Sequence, residues 1–126
     1  MQDSSQLMTL QNLEQLSIGY NNLEGTLPTE LRTLYTLKAF FVHENNFTGP
    51  LFNVMENLSS LQAISATQNG FSGIIPTFIG KMQNLAQLYV GDNELSGTVP
   101  TSIYNLSSLQ GLEVVDNHLK EAFHLI

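Results

Sequence analysis

The stretch Leu85-Ala86-Gln87-Leu88-Tyr89-Val90-Gly91-Asp92-Asn93-Glu94-Leu95-Ser96-Gly97-Thr98-Val99-Pro100 contains every element that recurs along this chain. Its asparagine returns every 24 residues, at Asn21, Asn45, Asn69, Asn93 and Asn117. Each asparagine lies eight positions after a leucine, and apolar residues follow that leucine by three and five positions. Five copies in one register indicate a protein built from stacked repeats.

A repeat of this length is too short to have a core of its own, so its apolar side chains must pack on the repeats before and after it. The alternation in Leu16-Ser17-Ile18 and in Leu88-Tyr89-Val90 predicts a strand with one buried face, and the strands should form a parallel sheet. The recurring asparagine lies where the chain leaves that sheet. Because an amide both donates and accepts hydrogen bonds, we expect the five asparagines to satisfy backbone groups at the bend as a structural ladder.

A glycine and then a proline follow the asparagine, as in Leu23-Glu24-Gly25-Thr26-Leu27-Pro28. Glycine permits backbone angles closed to other residues, and proline suits the end of a short edge strand. In the second copy Pro50 comes early and Phe52 stands where proline belongs. Apolar pairs three apart come next, which predicts a short helical turn with an inward stripe: Leu31 and Leu34, Met55 and Leu58, Ile79 and Met82, Ile103 and Leu106.

With Asn-x-Leu-x-Gly-x-Ile/Leu-Pro in a frame of 24 residues, the chain resembles the plant-type leucine-rich repeats of receptor-like kinase ectodomains, from about Gln6 to Leu119. The phrase Ser102-Ile103-Tyr104-Asn105-Leu106-Ser107-Ser108-Leu109 is similar to the immune receptor subgroup. The resemblance implies an α/β solenoid: a right-handed coil with a parallel β-sheet on the concave face and short helical or irregular turns on the convex face.

The repeat frame divides the chain into one solenoid domain. It comprises a partial repeat at 1–12, full repeats at 13–36, 37–60, 61–84 and 85–108, and an incomplete, divergent repeat at 109–126. In the last repeat the expected glycine is Glu121 and the expected proline is His124. The resemblance implies terminal caps that often carry cysteine pairs, and this chain has no cysteine. We therefore expect an internal fragment of a larger ectodomain.

The resemblance also implies that ligands bind the side chains that alternate outward on the concave sheet. Phe41 and Tyr89 are large aromatic residues at such positions, a residue class enriched at binding hot spots. The acidic positions are consistent with a basic peptide. The candidate ligand-binding residues are Tyr20, Phe41, His43, Glu44, Gln68, Tyr89, Asp92, Glu113 and Asp116.

Charge argues against nucleic acid as a partner. Four Lys and Arg oppose eleven Asp and Glu, which gives a formal net charge of −7. Such a chain is not drawn to phosphate backbones, and its basic residues form no patch in the sequence.

No catalytic residue, metal site or cofactor site is predicted. None of the three histidines lies in a metal-ligand spacing, and no cysteine is present. His43 lies next to Glu44, but adjacent strand residues point to opposite sides of a pleat. If the parent protein is a receptor kinase, phosphoryl transfer occurs on a separate serine/threonine kinase domain.

Three sequons, beginning at Asn46, Asn57 and Asn105, are candidate N-glycosylation sites. Asn57 and Asn105 occupy corresponding positions of two repeats and look better placed than Asn46, which directly follows a ladder asparagine. The resemblance implies that this segment lies on the extracellular side of the plasma membrane as part of a larger protein. The sequence shows no signal peptide and no apolar run long enough to span a bilayer.

The resemblance leaves several functions open. The first is ligand sensing by a receptor kinase, with a peptide or protein ligand, alone or together with a co-receptor. The others are a receptor-like protein without a kinase, a secreted inhibitor of polygalacturonase, and a truncated, non-functional gene copy.

Overall fold

A computed structural model describes residues 12–120 of the chain. The predicted repeat at 1–12 and the divergent tail with Glu121 and His124 therefore lie largely outside the described residues. Within 12–120 the chain forms a solenoid in which each coil contributes one strand to a five-stranded parallel sheet, the main sheet. Its strands are β1 (Gln15–Ser17), β3 (Ala39–Phe41), β5 (Ala63–Ser65), β7 (Gln87–Tyr89) and β8 (Gly111–Glu113), in the order β1-β3-β5-β7-β8.

The register of the main sheet follows the repeat. Leu16 lies beside Phe40, Phe40 beside Ile64, and Ile64 beside Leu88. These central residues of each strand point inward, and Phe40, Ile64 and Leu88 are completely buried. The prediction of a parallel sheet with one buried face is confirmed.

A second, smaller parallel sheet was not predicted. It consists of β2 (Glu24–Gly25), β4 (Asn46–Pro50) and β6 (Gly70–Ser72), and single bridges between Ile74 and Ser96 and between Thr98 and Lys120 continue it. It forms directly after the ladder asparagines, where successive coils run side by side. Each coil is therefore hydrogen-bonded to the next along two lines.

Short 3₁₀ helices close the coils on the side opposite the main sheet. They are η1 (Thr29–Thr33), η2 (Phe52–Val54), η3 (Thr77–Lys81) and η4 (Thr101–Asn105). The three five-residue helices each begin directly after a proline, whose fixed φ suits the start of a helix. The second coil has Phe52 at the proline position, and its helix is only three residues long.

The core is a continuous column of apolar side chains between the main sheet and these helices. The predicted helical stripe is buried: Leu31, Leu34, Met55, Leu58, Ile79, Met82, Ile103 and Leu106. Phe47 and Phe71 stack inside the small sheet with ring centroids 5.8 Å apart. The stacking of coils, and not the single coil, thus buries the apolar surface.

The repeated glycine has a positive φ in every described coil: 92° at Gly25, 79° at Gly49, 88° at Gly73 and 74° at Gly97. At Gly49 a Cβ would lie 2.8 Å from Cγ2 of Thr26 in the preceding coil. The backbone angle favours glycine at all four positions, and at Gly49 the close approach of the neighbouring coil adds to it.

The ladder asparagines hydrogen-bond to the backbone, and Asn93 shows the full pattern of four bonds. Asn93 donates from Nδ2 to the carbonyl oxygens of Val90 (3.1 Å) and Gly91 (3.1 Å) in its own bend and of Ala66 (2.9 Å) in the preceding coil. Its Oδ1 accepts from the N–H of Phe71 at 2.9 Å. One side chain therefore ties the end of two main-sheet strands to the start of the small sheet.

The same pattern recurs along the ladder. Asn45, Asn69 and Asn117 each donate to a carbonyl three residues back and to one in the preceding coil, and each accepts from a backbone N–H of that coil. Asn45 and Asn93 are buried. Asn21 is exposed, and among residues 12–120 it donates only within its own bend, to Ile18 and Gly19.

Replacing Asn93 with alanine should lower the free energy of unfolding by roughly 3–5 kcal/mol, because four hydrogen bonds are lost and buried backbone groups are left without partners. Asn21→Ala is the matched control and should cost less than about 1 kcal/mol, since its side chain is exposed. Urea denaturation of both variants measures the difference. Equal losses would contradict a stabilising role of the buried amide.

Candidate binding face

The residues beside the inward-pointing centre of each strand form the open face of the main sheet. The sheet register aligns Ser17, Phe41, Ser65, Tyr89 and Glu113 in one row across all five strands. Phe41, Ser65, Tyr89 and Glu113 are half-buried. We call this row, together with the outward-facing residues between it and each ladder asparagine, the binding face.

The structure brings Tyr20, Phe41 and His43 together at one end of the binding face. The ring of Tyr20 meets the imidazole of His43 edge-on at 5.0 Å between centroids, and Phe41 lies 6.4 Å from the same imidazole. Nδ1 of His43 is hydrogen-bonded to Oγ of Ser65 at 3.1 Å. These contacts hold the imidazole between two aromatic side chains, and we call the three residues the aromatic cluster.

A glycine makes room for the imidazole. A Cβ at Gly19 would lie 2.6 Å from Nε2 of His43, so the ring rests directly on the backbone of the preceding coil. This role of Gly19 was not predicted from the sequence. Its only signal was a small residue one repeat before a candidate binding residue.

Glu113 and Tyr89 occupy the other end of the binding face. Oγ1 of Thr67 donates to Oε1 of Glu113 at 3.1 Å across two coils. Glycines again lie beneath: a Cβ at Gly91 would be 3.0 Å from Oε1 of Glu113, and one at Gly111 would be 2.5 Å from the Tyr89 hydroxyl. Ser65, Thr67, Tyr89 and Glu113 line a shallow, open depression here.

A row of left-handed residues ends the strands of the main sheet. The φ angles are 60° at Tyr20, 58° at Glu44, 63° at Gln68, 54° at Asp92 and 58° at Asp116. Non-glycine residues in this region are uncommon, and each costs of order 1–3 kcal/mol unless the surroundings hold it. Here the adjacent ladder asparagine holds the bend.

This geometry corrects one argument made from the sequence. His43 and Glu44 lie beyond the end of β3, and Glu44 is left-handed, so the two do not alternate across a pleat. His43 instead packs on the sheet face while Glu44 points into solvent, exposed. The histidine still has no carboxylate partner among the described residues.

Glu44, Gln68, Asp92 and Asp116 are not brought into contact with one another. All four are exposed, and within residues 12–120 their side chains make no hydrogen bond or ion pair. They border the binding face as separate polar groups.

The basic residues lie elsewhere. Arg32 and Lys81 are on 3₁₀ helices, Lys120 is on the line of the small sheet, and Lys38 forms an ion pair of 3.7 Å with Glu14. In the described part of the chain the binding face thus carries four carboxylates, those of Glu44, Asp92, Glu113 and Asp116, and no lysine or arginine.

Among residues 12–120, no three side chains of His, Cys, Asp or Glu come together as metal ligands. His118 contacts Glu94 at 2.6 Å, but both are exposed and neither lies on the binding face. No helix in this part of the chain has the length and apolar character needed to cross a bilayer.

The Gly19 contact can be tested directly. Gly19→Ala should push the imidazole of His43 off the preceding coil and weaken the Tyr20 and Ser65 contacts, while the free energy of unfolding changes by less than about 1 kcal/mol because the flexible ring can move. Nuclear Overhauser effects between Tyr20 and His43 report the change. Their persistence in the variant would show that the ring does not rest on Gly19.

Comparison with known proteins places this architecture. The model of the leucine-rich repeat family matches residues 12–34 and 84–106. The search of curated protein sequences finds no match. The chain is a leucine-rich-repeat solenoid, as its sequence pattern predicts.

Solved structures give the more specific likeness. The ectodomain of the Arabidopsis thaliana membrane receptor kinase GASSHO1/SCHENGEN3, solved with CASPARIAN STRIP INTEGRITY FACTOR 2, is 38% identical with a TM-score of 0.87 over 94% of this chain and 14% of that one. A TDR receptor is 35% identical with a TM-score of 0.87, over 91% of this chain and 20% of that one. The Arabidopsis receptor kinase HAESA, in complex with the peptide hormone IDA and the co-receptor SERK1, is 30% identical with a TM-score of 0.81, over 85% and 18%.

The predicted resemblance to plant receptor-kinase ectodomains is therefore confirmed. The chain spans only about a fifth or less of each of these three structures.

Proposed function

We propose that this chain is a peptide- or protein-binding module, an internal part of the extracellular ligand-sensing region of a plant receptor-like serine/threonine kinase. The observation that carries the proposal is the binding face itself, where aromatic side chains are held in place while the bordering polar groups have no partner within residues 12–120. The likeness to receptor-kinase ectodomains solved with a peptide hormone and a co-receptor supports it. On this proposal the partners are a peptide ligand and a co-receptor.

The binding face suits an extended peptide that crosses the strands. Phe41 and Tyr89 lie in one row on β3 and β7, two strand spacings apart. At about 4.8 Å per strand this is roughly 10 Å, the length of about three residues of extended chain. Both side chains are half-buried and restrained, so contact with a ligand orders little that is not already ordered. Such aromatic residues are the usual anchors of a binding surface.

The small sheet is a less suitable surface for a ligand. Each of its strands contains a glycine, and its aromatic contact in the described coils, between Phe47 and Phe71, is buried. The restrained groups of the binding face are aromatic rings, hydroxyl groups, the carboxylate of Glu113 and one imidazole without a carboxylate partner among residues 12–120, and we propose binding as their role.

Peptides selected from a random dodecapeptide phage library on the 126-residue chain test the proposal. Phe41→Ala and Tyr89→Ala should each weaken binding of the selected peptides by roughly tenfold or more, as expected for an anchor worth at least about 1.4 kcal/mol. Biolayer interferometry measures the affinities.

Tyr35→Ala is the matched control. Tyr35 is also a large exposed aromatic residue, 58% accessible, but it lies in the connection between η1 and β3 and away from the binding face. Peptides that respond to Tyr35→Ala and not to Phe41→Ala or Tyr89→Ala would overturn the assignment of the binding face. Failure to select any peptide would count against peptide binding.

We further propose that the segment is glycosylated on the extracellular side of the plasma membrane. Asn57 follows η2 and Asn105 ends η4, and both are exposed on the helical side of the coil, away from the binding face. Asn46 lies in β4 and is exposed as well, so accessibility does not set it apart as the sequence suggested. Glycans at Asn57 and Asn105 leave the binding face open.

Secretion of the chain from plant cells behind an added signal peptide tests this proposal. We expect a loss of apparent mass on enzymatic deglycosylation, reduced in size by Asn57→Gln and by Asn105→Gln. Asn84→Gln is the control, because Asn84 is exposed but begins no sequon. A secreted product of unchanged mass would contradict the assignment.

A further inference from the structure

We infer that the binding face contains a subsite for one cationic side chain, a lysine or arginine of the ligand, formed by Ser65, Thr67, Tyr89 and Glu113. We call these four residues the cation subsite. The inference deepens the proposed function and rests on it, since it names the chemistry that one part of the ligand must have.

The carboxylate of Glu113 is restrained at the edge of a recess. The side chain is half-buried, and Oε1 accepts a hydrogen bond of 3.1 Å from Thr67, two coils away. Among the described residues this is the only hydrogen bond of the Glu113 side chain. The second oxygen therefore keeps its full capacity to accept from a ligand.

The recess is open to solvent and is lined by polar side chains. Ser65, Thr67, Tyr89 and Glu113 line an open depression on the sheet. Gly91 lies under Glu113, and Gly111 lies under Tyr89. A Cβ at Gly91 would lie 3.0 Å from Oε1 of Glu113, and a Cβ at Gly111 would lie 2.5 Å from the hydroxyl of Tyr89. Both side chains lie back against the sheet, and the depression opens between them and the hydroxyls of Ser65 and Thr67, which are bonded to His43 and Glu113.

The groups that line the recess favour a cation. A carboxylate beside a phenol ring is a pair that attracts a cation, by a charge-assisted hydrogen bond and by the negative face of the ring. A guanidinium can donate to the free carboxylate oxygen while its plane lies on the tyrosine. An apolar group would bury Glu113 without a partner, and an anion would be repelled by it. The two hydroxyls add acceptors for the remaining donors of a cation.

The charged groups that border the binding face are acidic. Asp92 and Asp116 border the same end of the binding face, Glu44 borders the other, and no lysine or arginine of the described chain lies among them. The nearest charges therefore all have the sign that attracts a basic ligand and speeds its encounter. An exposed acidic rim alone would be only a solvated surface. The restrained Glu113 in its recess distinguishes this place from the rest of the rim.

The position of the subsite sets the spacing in the ligand. Phe41 of the aromatic cluster and Glu113 lie in one row on β3 and β8, three strand spacings apart. That distance is about 14 Å, or roughly four to five residues of an extended peptide. A ligand that uses both ends of the binding face thus has an apolar or aromatic residue and a lysine or arginine at that separation.

The test uses the full 126-residue chain labelled with ¹⁵N and the probe N-acetyl-arginine amide, followed by amide chemical shifts. We expect saturable shifts at Gly91, Gly111 and Glu113. N-acetyl-citrulline amide has nearly the same shape without the charge and should produce none. N-acetyl-lysine amide serves to distinguish an ammonium from a guanidinium, and shifts at the same amides with either cation support the subsite.

Variants assign the shifts to the subsite. Glu113→Gln should weaken the arginine probe roughly tenfold or more, because the charge-assisted hydrogen bond is lost. Thr67→Val removes the positioning bond and should weaken it less, without loss of the folded spectrum. Glu24→Gln is the control, an equal change of charge at an exposed residue of the small sheet, and should leave the shifts unchanged.

Equal shifts with citrulline, or unchanged binding in Glu113→Gln, would overturn the subsite. That result would leave the proposed function standing if the selected peptides still depended on Phe41. Conversely, arginine shifts that depend on Glu113, combined with no selected peptide, would keep the cation subsite and remove peptide binding. Lysine or arginine in the selected peptides, four or five residues from an apolar residue, would support both.

Discussion

The structure depends on how the backbone groups are satisfied where each coil turns away from the main sheet. A bend at that point leaves carbonyl groups and N–H groups without strand partners, and an unpaired backbone group away from water is costly. The ladder amide meets this need within its own coil and in the preceding one, as the four hydrogen bonds of Asn93 show. This one side chain links the bend after the left-handed residue to the start of the small sheet in the preceding coil.

The same bend determines which groups face a ligand. Because the strands are only three residues long, each presents just two outward residues, one on either side of its buried centre, and the next outward groups are already on the turn. Large side chains on this face lie over glycines of neighbouring coils, with His43 on Gly19 and Tyr89 on Gly111. The face is therefore shaped by pairs of large and small residues in adjacent coils, so each site is shared between repeats.

The sequence could predict what repeats and could not predict what arises between repeats. The 24-residue register identified the parallel main sheet, the buried stripe such as Leu34 and Leu58, and the helical turn, because each follows from apolar positions that recur in every coil. The small sheet was not predicted, because Asn46–Pro50 has no alternating pattern and includes a glycine and a proline, residues that disfavour strands. It forms because neighbouring coils bring the backbones together.

The binding face shows the same limit. Its rows followed from the repeat, but the contact of His43 with Ser65 and that of Glu113 with Thr67 depend on side-chain rotamers across coils. The left-handed angles of Tyr20 and Gln68 could not be foreseen either, because these residue types carry no preference for them.

The two lines of hydrogen bonds that join consecutive coils also bear on how such a surface can change during evolution. Every coil offers its neighbour the same backbone contacts, so the gain or loss of 24 residues leaves the joints on either side chemically equivalent. Each added unit lengthens the sheet by one strand, about 4.8 Å. The binding face of such a solenoid can therefore be lengthened by duplication of a coil, or shortened by the loss of one, in fixed increments. A single substitution changes the surface of one coil.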